Sequence, residues 1–297
     1  MTTSADADRV KRFYDENTSL FLSLGQGTEG TIHRAVWGPG VQSRVHAMAY
    51  VDGLILDRLR RQSPGSAPSS GGVPRVADLG CGVCGSLCRM ARALPLRGVG
   101  VTISDEQVAI SRRRIDEQGL ASSVECVKGN FCELPPALGS IDLGSIDLAF
   151  SIEAFVHAPS GDDYFRECAR LVRPGGTLIV CDDFITEGHY REGHAASRWI
   201  ERFRRGWVAK NVCTEDEANE RAARAGFTHV ETIDLTPYLE IRRPRDYAIG
   251  LLMRSLGWLP IENNYWLMLY GGHALQVGLK RGWMKYAVVV WRRNDGA

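Results

Sequence analysis

The chain has 297 residues, 44% of them hydrophobic, enough for one large core or for a domain with a substantial cap. A formal net charge of +1 gives no broad electrostatic footprint, so generic nucleic-acid binding is not expected. No apolar run reaches the length of a membrane span, and the N-terminus lacks a basic region leading into an apolar stretch, so a cytoplasmic protein without stable membrane insertion is expected.

Residues 7–61 read as helical, with Phe13, Leu20 and Leu22, then Met48, Val51, Leu54, Ile55 and Leu59, at helix-like intervals. Glycine-rich loops at 25–30 and 38–40 interrupt them. A polar linker from Gln62 to Gly72 separates this N-terminal cap (1–62) from the main domain (73–297). The main domain then alternates. Strands are predicted near 75–79, 97–103, 123–128, 146–152 and 176–183, helices near 85–93, 105–118 and 161–172, and mostly loop over 131–145. A helix from Thr214 to Ala225, with Gly226 as its terminator, and strands at 229–235 and 285–292 complete it. Strands this rich in Val, Ile and Leu, separated by helices, imply an α/β fold with a parallel sheet covered on both faces. Two stretches, 187–211 and 237–284, exceed what such a fold needs. The second is rich in large apolar groups, among them Tyr247, Leu251, Trp258, Tyr265 and Met268. Inserts of this length usually serve the substrate side, although a structural cap or a dimer face in a homo-oligomer reads equally well.

Eight cysteines include Cys81, Cys84 and Cys88 at C-x2-C-x3-C spacing, which invites a metal. No fourth ligand follows at short interval and two of the three fall in a glycine turn, so all eight are read as reduced and structural.

Residues 76–86, Val-Ala-Asp-Leu-Gly-Cys-Gly-Val-Cys-Gly-Ser, form an apolar strand running into a glycine turn, and a second strand follows about twenty residues on. This segment resembles the first motif of the S-adenosylmethionine-dependent methyltransferases. Val-Thr-Ile-Ser (101–104), Gly-Asn-Phe (129–131), Ile-Asp-Leu-Ala-Phe-Ser (146–151) and Leu-Val-Arg-Pro-Gly-Gly-Thr-Leu (171–178) follow in the family's order. The resemblance implies a Rossmann-like class I fold with a seven-stranded, mostly parallel sheet, and S-adenosyl-L-methionine as cofactor. It places Asp78, Gly80, Cys81 and Gly82 at the methionine end of that cofactor, and Ser151 on the fourth motif strand. The tip of the second strand lacks the family's usual acid. Thr102 and Gln107 stand as in the cyclopropane-synthase and sterol branch and would take the ribose beside Ile103, with Asp105 as the rival. Asn130 and Phe131 would meet adenine, although Asn130 also reads as a turn residue after Gly129.

Ser-Ile-Glu-Ala-Phe-Val-His-Ala-Pro (151–159) is similar to a stretch of the sterol C-24 methyltransferases, and an acid at this place recurs in prenyl diphosphate C-methyltransferases. Those enzymes methylate a carbon–carbon double bond, and a nearby anion steadies the cation formed and can take a proton. Glu153 is thus the catalytic candidate, against its reading as an acid favoured by a helix dipole. His157 reads as a substrate contact or as a packing histidine, and Tyr14 as an active-site hydroxyl or a packed ring. Phe13-Tyr14-Asp15 and Thr31 to Gly38, which includes His33, resemble the segment that closes over the cofactor in that group.

Arg191 in one insert, and Arg242 and Arg243 opening the other, are candidate contacts to phosphate, and Trp207 is a candidate contact to an apolar substrate. A diphosphate would bring Mg2+, with Asn17 and Glu29 as conceivable ligands. The expected function is C-methylation of an isoprenoid, foremost geranyl or farnesyl diphosphate in bacterial terpenoid synthesis. O- or N-methylation of a specialised metabolite, a sterol- or cyclopropane-type C-methyltransferase and a non-catalytic binding protein are the alternatives.

Overall fold

The computed structural model describes residues 2–23, 33–61, 72–190, 194–241, 243–256 and 263–295. Helix α1 (Thr2–Ser23) precedes α2 (Arg44–Met48) and α3 (Tyr50–Arg61). Strand β1 (Arg75–Leu79), α4 (Gly85–Ala93), β2 (Arg97–Thr102), α5 (Asp105–Glu117) and β3 (Val124–Lys128) follow. A small hairpin, β4 (Ala137–Leu138) with β5 (Ile141–Asp142), occupies the crossover expected to be loop. Then come β6 (Ile146–Ile152), α6 (Gly161–Leu171), β7 (Val172–Ile185), α7 (Ala195–Trp207), α8 (Glu215–Arg224) and β8 (Phe227–Asp234). Helices α9 (Pro244–Leu256) and α10 (Asn264–Lys280) fill the second insert before β9 (Met284–Arg293).

Seven strands form one sheet in the order β3-β2-β1-β6-β7-β9-β8, parallel except for β9, which runs antiparallel to both neighbours. All seven residues of β6 are buried, as are the last ten of β7, because helices cover both faces of the sheet. One face packs Phe150, Ile179, Val288 and Val290 with Ile55, Leu87 and Ile200. The other packs Ala149, Leu178, Val180 and Val289 with Phe165, Leu171 and Ala222. Side-chain oxygens of Ser104, Ser160 and Thr214 cap α5, α6 and α8, and Thr214 forms a reciprocal capping box with Glu217.

Strand β7 is longer than its sequence suggests. Val172 already pairs with Ile146, and residues 182–185 continue opposite 284–287, so the acids Asp182 and Asp183 are strand residues. Helix α1 seals one side of the sheet's edge through Val10 and Phe13, which meet Val208 and Met268.

Helices α7 and α10 cross with glycine against glycine. A Cβ at Gly206 would lie 2.4 Å from the Leu267 carbonyl oxygen and 2.5 Å from the Gly271 Cα. Both obstacles are backbone, so no rotamer change relieves them. Gly206→Val should therefore push the helices apart and cost about 2–3 kcal/mol, the scale of an overpacked core. Urea denaturation of the purified variant measures this, and an unchanged midpoint would contradict the close crossing.

Candidate active site

The carboxyl ends of the parallel strands open onto a cavity of about 670 Å³. This is the edge at which open α/β sheets bind ligands. The glycine turn after β1, the tips of β2, β3 and β6, and the end of β7 form its floor. Tyr14 of α1, Phe203 and Trp207 of α7, and apolar side chains of α9 and α10 form its roof.

Gly80 and Gly82 have φ of +87° and +53°, a conformation that glycine adopts without strain. A Cβ at Gly80 would strike the Ala154 Cβ at 2.4 Å, so the turn lies tightly against the residue that follows Glu153. Gly80, Cys81, Gly82, Thr102, Ile103, Gln107, Asn130, Phe131 and His33 all line the cavity. The Thr102 hydroxyl donates to Gln107 Oε1 at 2.6 Å, and Gln107 Nε2 donates to Thr18 Oγ1 at 3.2 Å. The rival acid, Asp105, points away and pairs with Lys11 and Lys128 at 2.9 and 2.6 Å. Asn130 lines the cavity, and its Oδ1 accepts the Cys132 N–H at 3.0 Å as in a turn. His33 Nε2 lies 3.0 Å from Ser86 Oγ in the first turn of α4.

Two expected residues do not reach the cavity. Ser151 is wholly buried, and its hydroxyl bonds that of Tyr164 in the core. Asp78 is 3% exposed beneath the turn, where burial, then the Asp52 charge, pushes its carboxyl well above the usual range. Arg191, Arg242 and Glu29 lie outside the described residues. Asn17 donates its amide nitrogen to the Phe13 carbonyl at 2.7 Å and does not line the cavity. With that, no ligand set for Mg2+ emerges among the described residues.

The other half of the cavity is organised around Glu153, which sits at φ +53°, rare for a residue with a Cβ. Its Oε1 accepts three hydrogen bonds, from the Arg34 backbone N–H at 3.0 Å, Arg34 Nε at 3.2 Å and the Tyr286 hydroxyl at 2.9 Å. Among the described residues no group bonds its Oε2. The Arg34 guanidinium also forks onto Asp183 at 2.9 and 2.8 Å and lies over the Tyr286 ring, 3.9 Å from its centroid. Burial pushes the Glu153 carboxyl up, but Arg34, His33 and the Tyr286 hydroxyl more than offset it and hold the group below its ordinary range. Asp183 is pushed up by burial despite Arg34, and Asp182, which accepts the Val156 N–H at 3.1 Å, is raised further.

Tyr14 and His157 form a neutral pair, the hydroxyl 2.8 Å from Nε2. Burial raises the Tyr14 phenol. Burial also lowers the His157 imidazole to about 4, against the opposing pull of the Val208 carbonyl and the Glu153 charge. Sequence reading missed Arg34, Asp183 and Tyr286. The consecutive acids ending an apolar strand at 182–183 were a visible signal, and Arg34 lies in the 31–38 segment read as closing over the cofactor; Tyr286 gave none.

Of the candidate substrate contacts, Trp207 lines the cavity and Arg243 lies on its rim. Arg243 is paired with Glu240, which also takes Arg44 at 3.0 Å, and Arg245 lies 3.6 Å from Asp246.

Residues 77–180 match the family model described as a methyltransferase domain. That stretch of the chain is a methyltransferase domain. The chain is 31% identical over 238 residues to the 24-methylenesterol C-methyltransferase 2 of rice, Oryza sativa subsp. japonica, covering 79% of this chain. This chain spans 61% of that relative's length. Among solved structures, the [4+2]-cyclase SpnF superposes with a TM-score of 0.71 at 22% identity, covering 98% of this chain and 97% of that one. The geranyl diphosphate C-methyltransferase of Streptomyces coelicolor A3(2), bound to Mg2+, geranyl diphosphate and S-adenosyl-L-homocysteine, superposes with a TM-score of 0.64 at 17% identity, covering 97% and 98%. At these identities the two structures speak for the fold alone.

The neutral His157 of this methyltransferase domain has a measurable consequence. Its folded value of about 4 lies below the ordinary 6.5, so its contribution to stability is complete above pH 6.5 and is lost as pH falls towards 4. The loss should be on the order of 3 kcal/mol. His157→Gln, which cannot gain that proton, should show a shallower decline between pH 7 and pH 4.5 in denaturant unfolding. Parallel pH profiles for the two proteins would refute the buried neutral imidazole.

Proposed function

We propose that this chain is an S-adenosylmethionine-dependent C-methyltransferase that methylates a carbon–carbon double bond of an isoprenoid-type substrate. The observation that carries the reading is Glu153. One carboxylate oxygen is fixed by three donors, and the residue lines a largely apolar cavity beside the glycine turn.

The donor set fits the cofactor. Gly80 to Gly82 offer close backbone approach for its amino-acid end, Thr102 and Gln107 offer hydroxyl and amide to the ribose, and Asn130 with Phe131 offers an amide edge and a ring to adenine. When bound, that cofactor supplies an electrophilic methyl group on a sulfonium.

Glu153 then acts on the substrate. An alkene that gains a methyl group becomes a tertiary cation, and the fixed carboxylate lies where it can steady that charge. Arg34 does not cancel it, because a single guanidinium serves both Glu153 and Asp183. Glu153 accepts the proton from the neighbouring carbon, the C–H electrons restore a double bond, and a methylated alkene leaves. Tyr14 and His157 stay neutral and add a ring face and dipoles without a competing positive charge.

The finer substrate reading is geranyl or farnesyl diphosphate, with Arg243 and Arg245 at the rim as phosphate contacts. A neutral, sterol-sized alkene is the second reading, favoured because both rim arginines have carboxylate partners. No step is derived through Mg2+. Assays with each diphosphate, with and without Mg2+, beside a sterol carrying a side-chain double bond, separate the two.

Two outcomes are expected of variants. Gln107→Ala should weaken cofactor binding by on the order of 1 kcal/mol in calorimetry, while Asp105→Ala leaves it nearly unchanged. The reverse ranking would move the ribose site. Glu153→Gln keeps the shape but removes charge and basicity, so turnover of the best substrate should fall at least about a hundredfold with cofactor affinity preserved. Near-normal turnover would transfer the assignment to O- or N-methylation.

A further inference from the structure

Cys81, Cys84 and Cys126 come from three places, the glycine turn, the residue capping α4 and the middle of β3. All three are buried thiols. Their sulfurs lie within 4.8 Å of one another, with those of Cys81 and Cys126 3.9 Å apart. The gap they converge on exists because β2 carries Gly100 there, the register partner of Cys126. A Cβ on Gly100 would stand 2.5 Å from Cys84 Sγ and 2.8 Å from Cys81 Sγ. Cys88, adjacent in the sequence pattern, is not part of the cluster; Cys126, 45 residues beyond Cys81, takes the third place.

We propose that Cys81, Cys84 and Cys126 form a three-thiolate binding site for a soft, closed-shell cation of the Zn2+, Cd2+ or Cu+ class. A cation about 2.3 Å from each sulfur requires sulfurs roughly 4 Å apart, a spacing that the Cys81–Cys126 pair already has and the third sulfur reaches with a small shift. Thiolates select such ions over Mg2+ or Ca2+, which take oxygen ligands. Binding balances simply: three thiols release three protons to solvent and form three metal–sulfur bonds, with no redox change. Cys81 lines the large cavity while Cys84 and Cys126 do not, so the cation enters from the cofactor side. The site shares Cys81 with the proposed cofactor pocket but uses its sulfur, whereas the cofactor reading uses its backbone.

The test uses the full chain, reduced and free of cofactor, titrated with Cd2+. One equivalent should bind with a thiolate-to-metal absorption band in the ultraviolet. X-ray absorption on the loaded wild-type protein should show a shell of three sulfurs. Cys126→Ser and Cys84→Ser should each weaken binding at least about a hundredfold, since a hydroxyl is a poor ligand for a soft ion. Cys168→Ser, a buried thiol in the opposite core, should leave binding intact. Absence of the absorption band, a shell with fewer than three sulfurs, or full binding by a folded Cys126→Ser would overturn the site. The X-ray measurement needs no variant and decides the matter even where a serine variant does not fold.

Discussion

The sharing of Arg34 between Glu153 and Asp183 is the interaction on which the cavity depends. Arg34 belongs to the segment that follows α1, Glu153 to the tip of β6 and Asp183 to the end of β7. The Tyr286 ring under the guanidinium adds β9 to the same cluster. Asp183 is the buried member of this partly exposed network, so removing Arg34 would leave its charge uncompensated. Docking of the N-terminal segment and ionisation of Glu153 are thus one event: the cation that holds the segment down also keeps the carboxylate charged. One guanidinium thus serves two carboxyl groups, and Glu153 and Asp183 both line the cavity.

Close backbone approach does the rest of the positioning. The Gly80 turn rests on Ala154, and Glu153 beside it is held in the left-handed region by its N–H bond to the Cys181 carbonyl at 2.8 Å. That conformation costs about 1–2 kcal/mol in an L-residue and persists only where surroundings impose it. It turns the side chain from strand direction towards Arg34 and Tyr286. On the roof, the glycine crossing of α7 and α10 brings Trp207 and Met268 near the sheet edge, where they meet Phe13 of α1.

Much of this was legible in the sequence, for local reasons. Strand β1, helix α4 and strand β6 have the bounds their residue pattern predicts, because Val, Ile and Leu runs end at glycine or acid. Thr102 and Gln107 meet because Ser104 caps α5 between them and fixes five residues of chain. Arg34 and Tyr286 lie 119 and 133 residues from Glu153, and only the strand order brings them together. The directions of Asp78 and Ser151 were illegible for a different reason. A strand covered on both faces is apolar throughout, so alternation cannot tell which side a polar residue faces. The same ambiguity concealed Cys126, whose facing is set by its register with Gly100 and Asp78.

The depressed carboxyl of Glu153 bears on the kind of chemistry. A carboxylate held below its ordinary range is a weak base, poorly matched to drawing a proton from an alcohol or phenol. The carbon next to a tertiary cation is far more acidic and yields its proton to a weak base. Charge stabilisation, in contrast, improves with the same environment: a fixed anion in a site shielded from water attracts a cation more strongly than it would in bulk solvent. The three donors on Oε1 therefore trade basicity for a permanent, oriented negative charge. That exchange favours a reaction whose barrier lies in a carbocation over one whose barrier lies in removing a proton from oxygen or nitrogen.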